Sequence, residues 1–353
     1  MTTANLPGRL GNPDMTLVTD PRADPRMVIA LAPLLEGLAA GSPVNASSSL
    51  DDIHENVRQA EEAMNLSGLV FGAAAPAIDN VERSVEVIRG IDGNDITLFI
   101  HRPKTSGPVP AILHLHGGGM VMLEAAGPSY ARWRDELANA GLVAVGVEFR
   151  NGGGKLGPHP FPAGLNDCSS ALHWLHENRA KLGVSKIVVS GESGGGNLTL
   201  ATTLKAKRNG RINEIAGVYA QCPYISNAWA APPPSLPSLI ENDDYFIGCE
   251  QMGALARLYD PTGGNVNNPL AWPLKASSDD LTGLPPHVIS VNQLDPLRDE
   301  GLAYFRMLLD AGVSTVSRTV NGTCHAGDTI FRDALPDVYL ATIRDIAGFA
   351  NSL

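Results

Sequence analysis

The 353-residue chain is 44% hydrophobic and 18% charged, an ordinary composition for a soluble globular protein, and is long enough for one large α/β core with a smaller attached piece. It carries 26 Lys and Arg against 37 Asp and Glu, a net charge of −11, which argues against nucleic acid and anionic membrane surfaces as partners. Cys168, Cys222, Cys249 and Cys324 form no C-x-x-C pair, Met1 to Pro7 show no signal-peptide pattern, and no run reaches about 18 apolar residues, so a cytoplasmic protein with free buried thiols and no membrane span is expected.

Residues 1 to about 75 hold helix-like stretches, Pro25 to Ala40 and Leu50 to Met64, with Pro and Gly between them and no convincing strand. Near Val81 the pattern changes. Ser84–Arg89 and Asp95–His101 alternate apolar and polar residues around the turn Ile91–Asn94, which reads as a hairpin. Strands and helices then alternate, the signature of a parallel sheet covered on both faces. The strand candidates are Ala111–Leu115, Leu142–Val147, Ile187–Val189, Ala216–Ala220, Val288–Val291 and Thr315–Val320. Helices are expected at about 129–140, 165–182, 195–208, 297–311 and 336–350. One segment breaks the alternation: 226–278 is rich in Pro, Asn and aromatics and too long for a plain loop, so it reads as an insertion with its own helix near 249–259.

The strongest chemical signal is Gly191-Glu192-Ser193-Gly194-Gly195, placed between an apolar strand and a helix. That context is the nucleophile elbow, a strained turn that exposes the serine hydroxyl and leaves room only for glycine-sized neighbours. The helix that follows presents its positive end to developing negative charge. A second signal is His116-Gly117-Gly118-Gly119, directly after the strand Ala111–Leu115. Consecutive glycines let backbone N–H groups approach a bound carbonyl oxygen, as an oxyanion hole requires.

A serine hydroxyl needs a base and a group that orients it, and in this arrangement both follow in the order Ser, acid, His. His325 lies in the small-residue loop Asn321–Gly327, just past the last strand candidate. His287 immediately precedes the strand Val288–Val291, at the edge away from the expected site, and reads as structural. Asp295 follows that strand at its carboxyl edge; Asp299, its rival, lies in the first turn of the next helix and is expected to pair with Arg298 or backbone N–H groups. His173 and His176 share a helix face without a third ligand, so no metal site is expected. Gly152-x-Gly154-x-x-Gly157 matches a dinucleotide fingerprint only formally, because Pro158, Pro160 and Pro162 forbid the helix that it needs.

With these residues in place, the chain from about residue 80 onward resembles the hormone-sensitive-lipase family of esterases. The resemblance rests on His116–Gly119, Gly191–Asn197 and Leu294–Glu300, with further matches at Tyr259–Gly263 and Pro160–Asp167. It implies the α/β-hydrolase fold: a mostly parallel eight-stranded sheet with helices on both faces and a helical cap. The cap would comprise 1–75 and 226–278, and the core 76–225 and 279–353. It also implies an oxyanion hole at Gly118, Gly119 and Gly194. The expected activity is hydrolysis of short- to medium-chain or small-molecule esters, macrocyclic lactones among them, with Ser193, His325 and Asp295 and no cofactor. Trp229, Tyr245, Phe246 and Met252 are the cap residues expected to line the pocket. Acyl transfer on the same serine and a non-catalytic capped receptor are the alternatives, and a homodimer is compatible with the sequence. The chain departs from the family at His325-Ala326-Gly327, where Gly commonly follows the histidine, and at Phe149–Gly154, where Tyr-Arg-Leu-Ala-Pro-Glu is usual.

Overall fold

A computed structural model describes residues 6–34, 41–67, 78–104 and 107–353. Its centre is one eight-stranded sheet in the order β1-β2-β4-β3-β5-β6-β7-β8, formed by Val81–Arg89, Asp95–Pro103, Val109–Leu115, Val143–Glu148, Val184–Glu192, Gly217–Gln221, His287–Leu294 and Thr315–Cys324. β2 runs antiparallel to β1 and β4; every other pairing is parallel. The hairpin expected around Ile91–Asn94 is β1–β2, closed by the bond from Gly90 N–H to Asn94 O at 2.8 Å.

The pleat explains why the central strands are apolar throughout. Ala111, Leu113 and Leu115 of β3 face one core with Leu172, Leu198 and Leu204, whereas Ile112 faces the other with Trp133, Leu137 and Ile343. Each fully buried Leu or Ile contributes roughly 1.5–3 kcal/mol of transfer free energy, so both sheet faces hold the fold. The helices Pro128–Asn139 and Pro336–Ser352 cover the second face; Ala163–Glu177 and Gly194–Arg208 cover the first.

Two expectations shift in detail. The helix expected over 165–182 breaks at Asn178 into Ala163–Glu177 and Arg179–Leu182, and Gly183 closes the second piece at φ 64°. The helix expected from Pro25 to Ala40 is α-helical only over Pro25–Leu31 and tightens to a 3₁₀ turn over Ala32–Leu34; 35–40 lie outside the described residues, as do 68–77. The four cysteines are free and buried. Among the described residues no helix is long and apolar enough to cross a membrane.

The N-terminal residues and the insertion pack on each other above the carboxyl edge of the sheet. Ile53 and Val57 of the helix Leu50–Ser67 share a core with Leu255 and Leu258 of the helix Cys249–Tyr259. Arg257 donates to the carbonyls of Ala46 and Ser48 at 2.9 and 2.8 Å. Charge anchors both pieces to the core: the buried Glu241 accepts from Arg22 at 2.5 Å and from Arg298 at 2.7 Å. Burial alone would raise the Glu241 pKa, but the two guanidiniums hold it below the usual carboxylate range.

Candidate active site

β5 runs three residues past its apolar stretch and delivers Ser193 to the turn before the helix Gly194–Arg208. Ser193 sits at φ 58°, ψ −120°, a conformation costly for any residue with a side chain. It is held there by bonds from its N–H to Gln221 O and to its carbonyl from Tyr224 and Asn197 N–H, each at 3.0 Å. The glycine requirement at the flanking positions is steric. A Cβ at Gly191 would lie 2.2 Å from Leu115 O, and one at Gly195 would lie 1.9 Å from the same oxygen.

The glycine run after β3 folds against this turn. Gly118 and Gly119 have φ of 95° and 62°, and a Cβ on Gly194 would lie 2.6 Å from the Gly119 nitrogen, so the run packs against the residue after Ser193 with no room for a side chain. Glu192, inside the elbow itself, steadies the run from below: it accepts from Gly117 N–H at 2.6 Å and meets His114 Nε2 at 3.2 Å. Burial and the Glu192 carboxylate push the Tyr130 hydroxyl well above the usual phenol range, so it stays protonated against this network. His116 stacks on Phe149 at 4.1 Å, and burial lowers its pKa to about 3, which keeps it neutral. The Phe149–Gly154 stretch runs beside the glycine run, with Gly152 and Gly153 N–H bonded to Met120 and Val121 O at 2.9 Å. No helix begins there, which disposes of the formal dinucleotide fingerprint.

β7 and β8 extend past their apolar runs and carry Asp295 and His325 to the same edge. His325 Nδ1 lies 2.9 Å from Asp295 Oδ2. A carboxylate can only accept, so Nδ1 carries the proton and Nε2 keeps a free lone pair. The other oxygen of Asp295 accepts from Leu297 N–H at 2.9 Å, and Asn242 of the insertion donates to the Asp295 carbonyl at 3.2 Å. The N-terminal segment buttresses the histidine loop through Asp24 N–H to Gly322 O at 2.9 Å and Cys324 N–H to Met27 Sδ at 3.3 Å. Ala326 stands at φ 53°, in the left-handed region that favours glycine, which gives a physical reason for the glycine common there in the family. Asp299 accepts from Ser238 N–H at 2.7 Å and pairs with Arg298, and His287 lies at the opposite edge, buried against Pro285 O.

Ser193 and His325 open into one cavity of about 220 Å³. Its walls are mostly apolar, with Met122, Leu123, Trp133, Leu255 and Ile330 prominent among them. Of the four cap residues expected at the pocket, Phe246 and Met252 line it and two do not. Trp229 is packed edge-on against Tyr224 at 5.5 Å, and Tyr245 turns away to donate to Asp20 at 2.9 Å. Trp229 joins the main core, and Tyr245 packs with Leu17, Met27, Leu294 and Phe331. Ile247, Gln251 and Leu255 were not expected; Gln251 and Leu255 lie one residue before and three after Met252 on its helix, which is the signal that could have found them. Among the described residues, the one close group of metal-type donors is Cys222, Asp295 and His325, within 4.8 Å of one another. The Asp–His bond occupies two of these groups, and burial pushes the Cys222 thiol well above its ordinary pKa, so this is a poor ligand set.

Gly118 gives a direct test of the glycine run. A Cβ there would lie 2.1 Å from Met122 O, and Gly118 O already accepts from Val121 and Met122 N–H at 3.0 Å. Gly118→Ala is therefore expected to displace the amides and lower kcat by roughly 10²–10³-fold with an unchanged circular dichroism spectrum. Steady-state ester kinetics check this, and kcat within fivefold of wild type would contradict it.

The sheet order, elbow, glycine run and His–Asp pair together define an α/β hydrolase, and the α/β-hydrolase-fold family model matches residues 112–328. The chain belongs to that family. It is similar to carboxylesterase NlhH of Mycobacterium tuberculosis, 31% identical over 79% of this chain and 84% of that one. Among solved structures it resembles brefeldin A esterase, described as a bacterial homologue of human hormone-sensitive lipase, at 47% identity, 98% coverage of each chain and a TM-score of 0.92. It also resembles the esterase Est22, at 36% identity, 95% coverage of this chain and 99% of the other, and a TM-score of 0.84.

Proposed function

We propose that the protein is a serine carboxylesterase that hydrolyses short- to medium-chain or small-molecule esters, lactones included, through an acyl-enzyme on Ser193. The class, a carboxylic ester hydrolase, follows from the esterase and carboxylesterase relatives. The observation that supports the finer reading most is the shared cavity: Ser193, His325, Gly118 and Gly119 line one mostly apolar space.

Ser193 Oγ attacks the ester carbonyl carbon while His325 Nε2 takes its proton. The carbonyl oxygen becomes an oxyanion bound by the N–H groups of Gly118, Gly119 and Gly194. Asp295 keeps the imidazole in the reactive tautomer and stabilises the imidazolium. His325 then protonates the leaving alcohol; water, deprotonated by the same nitrogen, hydrolyses the acyl-enzyme. The low exposure of Ser193, 7%, and of His325, 5%, keeps these charges in a low-dielectric setting where the amide dipoles act strongly. The apolar wall of Met122, Leu123 and Leu255 suits an alkyl or alicyclic group. The lactone class draws on the name of brefeldin A esterase and on a cavity with apolar walls on several sides.

Turnover of p-nitrophenyl esters from acetate to octanoate, beside the matching p-nitroanilides, tests the reading. Ester hydrolysis with an optimum inside that range and little anilide cleavage is expected. A folded protein that turns over none of the esters would overturn it.

A further inference from the structure

A second cavity, of about 140 Å³, lies between the N-terminal residues and the insertion. Its character is opposite to that of the first. Ser42, Asn56, Asp244 and Gln251 line it, with small residues such as Gly41 and Gly248 between them. The Ser42 hydroxyl already donates to Val44 O at 2.6 Å and Asp244 pairs with Arg9 at 3.2 Å, which leaves the two amides as the open polar groups. The side-chain amides of Asn56 and Gln251 have no hydrogen-bond partner among the described residues. Both residues are half-buried and both line this cavity.

The two cavities share a wall. Phe246, Ile247 and Gln251 line both, so what separates the apolar space over Ser193 from the polar one is a few side chains thick. Phe246 is held at φ 105°, and Asp244 two residues earlier at φ 61°. A bulky residue at such a φ costs of order 1–3 kcal/mol and is kept only where the surroundings fix it. Here the bonds that fix the segment are Cys249 N–H to Asp243 at 2.8 Å and Tyr245 hydroxyl to Asp20 at 2.9 Å, both tied to cap packing. The strained backbone thus presents Phe246 to the boundary between an apolar and a polar chamber.

We infer that the second cavity is a binding subsite for the hydroxyl-bearing far end of the substrate, with Phe246 as the partition and Gln251 reaching both sides. The substrates so selected are esters and lactones that are apolar around the scissile bond and carry a hydroxyl several bonds away. Amides offer such a hydroxyl both a donor and an acceptor, and each bond formed is worth about three- to tenfold in affinity. The inference rests on the ester-hydrolase reading and extends it to substrate class.

The test uses matched pairs that differ only in a terminal hydroxyl: p-nitrophenyl alkanoates against their ω-hydroxy counterparts of six to twelve carbons, and alkyl butyrates against the monobutyrates of the corresponding diols. Wild-type kcat/KM is expected to favour the hydroxylated member at least fivefold in one of the two series. Asn56→Leu, which lies outside the first cavity, is expected to bring that ratio below twofold and leave p-nitrophenyl butyrate turnover unchanged. Asn56→Gln, which keeps an amide, is expected to retain part of the preference. Phe246→Ala is expected to shift the preferred chain length, because it removes the partition. Equal rates within every pair, or a preference that survives Asn56→Leu undiminished, would overturn the subsite while p-nitrophenyl butyrate turnover still supports the esterase. Absence of butyrate turnover by wild type would instead overturn the esterase reading and the subsite with it.

Discussion

Ser193→Ala is expected to lower kcat/KM for p-nitrophenyl butyrate by roughly 10⁵–10⁶-fold, about the loss seen when a serine hydrolase is stripped of its nucleophile. The substitution deletes one oxygen and little else. The backbone bonds of residue 193, to Gln221 O and from Tyr224 and Asn197 N–H, do not involve the side chain, so the elbow is expected to persist. Alanine carries the same Cβ as serine, and at φ 58° it meets the same strain. Residual activity would come from the amides of the glycine run and from substrate binding alone. Thermal denaturation alongside the kinetics separates lost chemistry from lost fold. A variant that keeps more than about a hundredth of wild-type activity, well above the range expected for nucleophile loss, would show that another group attacks the ester.

Asp295→Asn is expected to cost about 10⁴-fold in kcat with KM changed by only a few fold. The reason lies in which oxygen does what. Asp295 Oδ1 accepts from Leu297 N–H at 2.9 Å, while Oδ2 accepts from His325 Nδ1 at 2.9 Å. In the variant the amide oxygen keeps the Leu297 bond and the amide nitrogen turns to His325. It then donates to Nδ1, which forces the imidazole proton onto Nε2, where the lone pair is needed. Geometry is preserved and the tautomer is wrong. Steady-state kinetics with several esters check this; a loss under tenfold would mean that the imidazole is oriented by something else.

Much of this site is legible in the sequence because its geometry is local. An elbow needs small residues at 191 and 195, a left-handed run needs glycine at 118 and 119, and an imidazole loop needs room at 326 and 327; short motifs record such demands directly. The strand ends are less legible. Ser190, Gly191 and Glu192 of β5 and Asn292 of β7 are not apolar, yet the ladder continues through them because neighbouring strands supply partners, and β7 resumes at Leu294 after a shift in register at Gln293. The pocket wall is the least legible. Phe246 and Tyr245 are adjacent aromatics with opposite fates: Asp20, 225 positions away, captures the tyrosine hydroxyl and leaves phenylalanine to face the cavity. Glu192 sat in plain view inside the elbow, but its bonds to Gly117 and His114 span 75 and 78 positions. Pairings over such separations depend on the completed fold, not on any local pattern.

The central claim is a covalent intermediate on Ser193, and the most direct measurement is the intact mass of the protein after treatment with a p-nitrophenyl alkylphosphonate. Ser193 Oγ would form a bond to phosphorus, His325 would take the proton and p-nitrophenolate would leave, freezing the first step. One adduct per chain, mapped to the peptide containing Ser193 and absent in Ser193→Ala, is the expected result. An adduct on a different residue, or none in a protein that still hydrolyses esters, would contradict the account.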